Sequence, residues 1–163
     1  MKQIIAATAF FALSLTGCAP TGAPNVAAND SEPTARPLSP PARDALNARI
    51  AYFARENGVP ESLVHRSIQR ESGYNPGLKH GPFWGLMQIR YDTARGMGYS
   101  GSPSGLLDAD ANMQYAVPYL ANAYRVAGGD ERRAIALYAS GYYYEAKRKG
   151  MLGELRNARS AGE

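Results

Sequence analysis

The stretch from Pro60 to Pro76 constrains this chain most, because it sets an acid on the inner face of a helix and then ends that helix. Val64, Ile68 and Glu71 stand at i, i+4 and i+7, so the Glu71 carboxylate shares the apolar face of its own helix. Gly73 and Pro76 stop the helix and leave Glu71 in its last turn. Apolar surroundings disfavour the charged carboxylate, and the negative end of the helix dipole acts in the same direction. A carboxylic acid that keeps its proton near neutral pH is a general acid. The competing reading is a solvent-facing Glu at a frayed helix end, and from the helix alone that is the commoner outcome.

The residues downstream change the balance. Glu71-Ser72-Gly73-Tyr74-Asn75-Pro76 is followed one short loop later by Gly85-Leu86-Met87-Gln88-Ile89 and then by Thr93-Ala94. Either motif alone is weak, but in combination they are specific. From about Leu46 to Gly141 the chain resembles the lytic transglycosylases of the soluble, goose-lysozyme-like type, which cleave the glycan strands of bacterial peptidoglycan. The resemblance implies that Glu71 is the catalytic acid/base and that Met87 and Gln88 contact substrate. Gln88 offers both a donor and an acceptor to sugar amides, whereas a Met in an apolar run is more often core. Ser72 would position the substrate's N-acetyl region, with a hydroxyl bonded to its own helix backbone as an equal alternative. The third family motif usually reads Tyr-Asn-Ala-Gly. Here it is Tyr138-Ala139-Ser140-Gly141, so Tyr138 inherits the substrate-orienting role while Ala139 replaces the Asn, a loss that Ser140 would have to offset. The Met-Pro that usually follows Gly-Leu-Met-Gln is replaced by Arg90-Tyr91 after Ile89.

Glycosidases normally place two carboxylates across the scissile bond. The candidates for a second are Asp92 and Asp108, and both stand where helix N-caps are expected. Under the resemblance none is needed: the substrate's N-acetyl group assists departure and the sugar's own 6-hydroxyl then attacks. The expected product is a 1,6-anhydromuramoyl end. The alternatives are a non-catalytic peptidoglycan-binding lipoprotein and a hydrolytic muramidase. Trp84, the single tryptophan, is read as core in preference to a sugar platform. Tyr142, Tyr143 and Tyr144 are read as anchoring the last helix in preference to binding sugar. His65 and His80 have no ligand-spaced partner, so no metal and no cofactor are expected.

The N-terminus reads as an address. Met1-Lys2 and an apolar run from Ile4 to Leu15 have secretory-signal proportions, too short for a membrane span. Leu15-Thr16-Gly17-Cys18 resembles a lipobox, so residues 1–17 are expected to be cleaved and Cys18 lipidated. Ala19 follows where Asp would retain a lipoprotein at the inner membrane. The expected location is therefore the periplasmic face of the outer membrane, with soluble periplasm as the alternative. Cys18 is the sole cysteine, which excludes an intrachain disulfide. Residues 18–41, rich in Pro, Ala, Asn, Ser and Thr, read as a disordered tether reaching up to about 3.3 Å per residue. The formal charge is +4, and loss of Lys2 leaves 17 basic against 14 acidic groups. That suits an anionic polymer such as peptidoglycan. No basic stripe with interleaved aromatics points to nucleic acid.

Residues 42–153 suffice for one monomeric domain, with 154–163 as a tail. Helices are expected from Ser39 and Pro40 to Asn57, from Pro60 through Glu71, from Asp108 or Asp110 to about Ala127 with a kink at Pro118, from Asp130 through Tyr138, and from Tyr143 to Lys149. Phe83–Ile89 reads as one small strand or hairpin edge, and Met97–Gly105 as a loop bordering the cleft. The expected fold is mostly α, of the α+β lysozyme-like kind, with four to five helices around a substrate cleft and a minor strand or hairpin element.

Overall fold

The computed structural model describes residues 39–157; Cys18, the leader and residues 158–163 lie outside that range. Helix α1 (Pro40–Glu56) begins with Pro at its first turn, where the missing N–H has no helical partner to lose. It therefore starts two residues before Ala42, and Ser39 holds the N-cap position without a side-chain capping bond. Leu46, Ile50 and Phe53 are buried, as their spacing predicts. Helix α2 (Glu61–Ser72) buries Leu63, Val64 and Ile68 and ends at Gly73 in the left-handed conformation (φ 57°), so Glu71 does stand in the last turn.

The Phe83–Ile89 stretch is not one strand. It forms β2 (Phe83–Trp84), a turn, and β3 (Ile89–Arg90), joined on the other side by β1 (Lys79–His80). The strands form an antiparallel sheet in the order β1-β2-β3, pairing His80 with Phe83 and Phe83 with Arg90. Directly paired residues project from the same face, so His80, Phe83 and Arg90 make one row.

A short helix follows that periodicity did not reveal, α3 (Tyr91–Gly96), which brings the α-helices among the described residues to six. Six residues are fewer than two turns, too few to display a 3.6-residue pattern. Its N-cap is Arg90, so Asp92 is not a cap; it lies inside the first turn, where an anion still complements the helix dipole. Asp108 does cap the long helix α4 (Ala109–Val126), its carboxylate accepting from the Ala111 N–H at 2.8 Å. Pro103–Leu107, part of it expected as loop, is a 3₁₀ turn.

Helix α4 is the centre of the domain, with Met113, Val117, Leu120, Ala123 and Val126 buried and Pro118 inside it. Tyr115 and Tyr119 are only half-buried and pack against the edge of the same core. Against α4 pack α1, the Pro103–Leu107 turn and helix α5 (Glu131–Ser140), which Asp130 caps at the Arg133 N–H; α2 packs on α1 and α5, and β2 on the turn. The short α6 (Tyr143–Arg148) follows, ending a residue before Lys149.

Two fully buried amides on α4 organise what surrounds it. Asn122 donates to the Tyr142 hydroxyl and the Arg156 carbonyl and accepts from the Arg156 N–H. With Leu155 buried as well, the folded chain continues past Gly153 to Arg156. Asn112 does the equivalent at the sheet.

Candidate active site

The turn between β2 and β3 owes its shape to Asn112. Its Nδ2 donates to the Trp84 and Leu106 carbonyls, both at 2.8 Å, and its Oδ1 accepts from the Met87 N–H at 2.9 Å. This satisfies the amide's hydrogens and pins three backbone groups at once. The fit leaves no room at Gly85, which has φ +71°; a Cβ there would stand 2.0 Å from the Leu106 carbonyl oxygen. The turn then places Gln88 at φ +48°, a conformation uncommon for a side-chain-bearing residue. Gln88 is held there by its own amide, which donates to the carbonyls of Leu78 (2.9 Å) and Gly85 (2.8 Å).

This turn, the end of α2 and the end of α5 enclose a cleft of about 420 Å³. Glu71, Gln88 and Tyr138 line it, so the central residues of all three motifs meet in one place. Glu71 is half-buried, and burial raises its pKa above the ordinary carboxyl value; Arg70, with Nε 3.8 Å away, opposes this more weakly. The proton is thus retained to higher pH than on an exposed Glu.

Tyr138 donates its hydroxyl proton to the Met87 carbonyl at 2.8 Å, locking α5 to the turn. Burial, followed by the nearby Glu71 charge, raises its pKa well above that of a free phenol, so it stays neutral. Its ring packs edge-on against Tyr119, which also lines the cleft. The hydroxyl oxygen of Tyr138 remains an acceptor, as does Oε1 of Gln88.

Two other residues singled out by the motifs, Met87 and Ser72, are not among those lining the cleft. Met87, expected to contact substrate, has no exposed surface and lies in the hydrophobic core, the alternative its apolar run offered; its backbone N–H donates to Asn112 and its carbonyl accepts from Tyr138. Ser72 bonds backbone, donating to the Leu86 carbonyl at 2.6 Å with the Ile68 carbonyl at 3.3 Å. It ties the acid's helix to the turn and is not among the cleft-lining residues. Trp84 packs against the core with the Lys79 ammonium 4.9 Å from its ring centre, and Met97–Gly105 does not border the cleft. Tyr142 anchors to Asn122, while Tyr143 and Tyr144 are exposed.

Ala139 lines the cleft where the family has Asn, and the Ser140 hydroxyl beside it donates back to the Ala136 carbonyl at 2.9 Å. That hydrogen is spent, leaving Ser140 an acceptor and no replacement for an amide donor. His80, Phe83, Arg90, Thr93 and Tyr119 also line the cleft. Strand pairing brings in the first three, a consequence invisible until the two-residue strands are known. Neither Asp92 nor Asp108 is there, so Glu71 is the one carboxylate lining the cleft among the described residues. His65 is elsewhere, its Nδ1 2.9 Å from the Tyr74 hydroxyl, and among the described residues no three metal-ligating side chains cluster.

Proteins described as "Membrane-bound lytic murein transglycosylase C" from Salmonella typhi and Salmonella typhimurium are 36% identical over 80 residues, 44% of this chain. That match covers 22% of their own length, so the chain spans only about a fifth of these relatives. No solved structure matches. The model of the transglycosylase SLT domain matches residues 49–156, from the middle of α1 to the segment that Asn122 ties down. Most of the folded domain is covered, all three motifs are included, and the chain belongs to the transglycosylase SLT domain family.

Proposed function

We propose that this protein is a peptidoglycan lytic transglycosylase in which Glu71 is the sole acid/base and the muramoyl 6-hydroxyl is the nucleophile. The observation that carries the reading is a single half-buried carboxylate with a raised pKa in a sugar-sized cleft. Protonated Glu71 gives its proton to the glycosidic oxygen between MurNAc and GlcNAc as that β-1,4 bond breaks. The neighbouring N-acetyl group shares the positive charge developing at the anomeric carbon. Glu71, now a carboxylate, takes the proton of the 6-hydroxyl as that oxygen bonds to the anomeric carbon. The acid is regenerated, no water is consumed, and the product is a 1,6-anhydromuramoyl end. The tethered hydroxyl has a large effective concentration, which dispenses with a second carboxylate to activate water.

Around the acid, Gln88 and Tyr138 serve as substrate-facing acceptors, and Ser72 and Met87 hold them in place through the backbone bonds described above. The membrane-bound description of the Salmonella relatives favours an envelope location. With Leu15-Thr16-Gly17-Cys18 in the sequence, the reading extends to a lipid on Cys18 and anchorage at the periplasmic face of the outer membrane.

The test is mass analysis of the fragments released from purified peptidoglycan. Anhydro ends, one water lighter than hydrolysed ends and resistant to borohydride, are expected. Reducing ends throughout would establish a muramidase, and bound but uncut glycan a binding protein.

A further inference from the structure

One feature of the cleft is left unused by this chemistry. His80, Phe83 and Arg90 are paired across the three strands and all line the cleft, forming a row of imidazole, phenyl and guanidinium. Both polar members are exposed. The other arginines with described partners are spoken for: Arg49 pairs with Asp110, Arg66 with Glu131 and Arg133 with Glu145, while Arg156 donates to Asn57. Arg90 makes no ion pair and no side-chain hydrogen bond among the described residues. Its backbone is nevertheless well held, paired with Phe83 on one side and standing at the N-cap of α3 on the other. The cation acting on Glu71 is Arg70.

We propose that Arg90, with Phe83 beside it and His80 beyond Phe83 in the same row, is a subsite that selects a carboxylate carried on the 3-O substituent of the substrate's muramoyl sugar. This rests on the transglycosylase reading and adds to it the group that the cleft recognises. A guanidinium forks two N–H donors onto a carboxylate, a geometry neither a hydroxyl nor an N-acetyl group matches. The phenyl ring beside it offers an apolar contact to the methyl group of a lactyl or alanyl unit. The carboxylate has two sources: the free lactyl acid of a peptide-free strand, or the acids of an attached stem peptide.

Binding is measured in a Glu71→Gln background, which prevents turnover, by calorimetric titration with three oligosaccharides of equal length. One is peptide-free GlcNAc-MurNAc, one is the same strand bearing stem peptides, and one is a neutral GlcNAc oligomer. Adding Arg90→Gln is expected to lower the affinity for a carboxylate-bearing ligand, relative to the neutral one, by roughly tenfold, with partial recovery in Arg90→Lys. The arm in which the ratio falls identifies the source. An unchanged ratio in both arms, or equal loss of all three ligands, overturns the subsite. Wild-type protein that cleaves glycan while the ratio stays flat defeats the subsite alone. Wild-type protein that neither binds nor cleaves any glycan defeats the transglycosylase reading with it.

Discussion

Replacing Gly85 with Ala probes the joint on which the cleft depends. The residue sits at φ +71°, where an L side chain costs about 1–2 kcal/mol. The added Cβ would also stand 2.0 Å from the Leu106 carbonyl oxygen and 2.4 Å from Asn112 Nδ2. Neither neighbour moves cheaply, because each holds the other by a 2.8 Å hydrogen bond and Asn112 also holds Trp84 and Met87. Displacing the amide strands at least one buried polar group, at about 1–3 kcal/mol. The sum is roughly 2–5 kcal/mol. Gly73→Ala is the control: φ is +57° and nothing lies within 4 Å of the added carbon, so only the backbone cost of about 1–2 kcal/mol applies. Urea denaturation of both variants measures the difference. If Gly85→Ala costs no more than Gly73→Ala, the Asn112 clamp does not control this turn and the argument fails.

Glu71→Gln should keep the fold while glycan cleavage falls by about 10²–10⁴-fold in a dye-release or muropeptide assay; retained activity would exclude the acid/base role. The same variant tests the raised pKa through stability. The native state holds the Glu71 proton more tightly than the unfolded chain, so ionisation of Glu71 destabilises the fold above its native pKa, and this penalty vanishes below the unfolded one. Glu71→Gln should therefore melt no lower than wild type at neutral pH. Any advantage should shrink as pH falls into the ordinary glutamate range, near about 4.3. Cys18→Ala should move the protein from the membrane fraction to the soluble periplasm, and unchanged fractionation would defeat the lipid anchor.

Much of this molecule was legible in its sequence because local chemistry is local. Gly73 ends α2 by adopting a conformation that glycine tolerates, Asp108 and Asp130 cap the helices that follow them, and Leu46, Ile50 and Phe53 mark an inner face by spacing alone. The three motifs also converge on one cleft as the resemblance implied. What spacing cannot convey is which polar atoms meet across the fold. Asn112 and Asn122 look like unremarkable polar residues in a helix, yet they close the turn and the C-terminal segment from the domain's centre. Asp92 looked like a cap because the strand β3 ending just before it was too short to read.

Sequence by itself singled out Glu71, its place at a helix end and the family, since each rests on residue identity and short-range order. Tertiary structure alone decided that Met87 is core, that Ser72 and Ser140 spend their protons on backbone, and that Arg90 lines the same cleft as Glu71 without a partner among the described residues. The physical reason is common to all of them. A hydrogen bond has one donor hydrogen to place, and a side chain one face to present, and only the arrangement of distant segments determines where each goes.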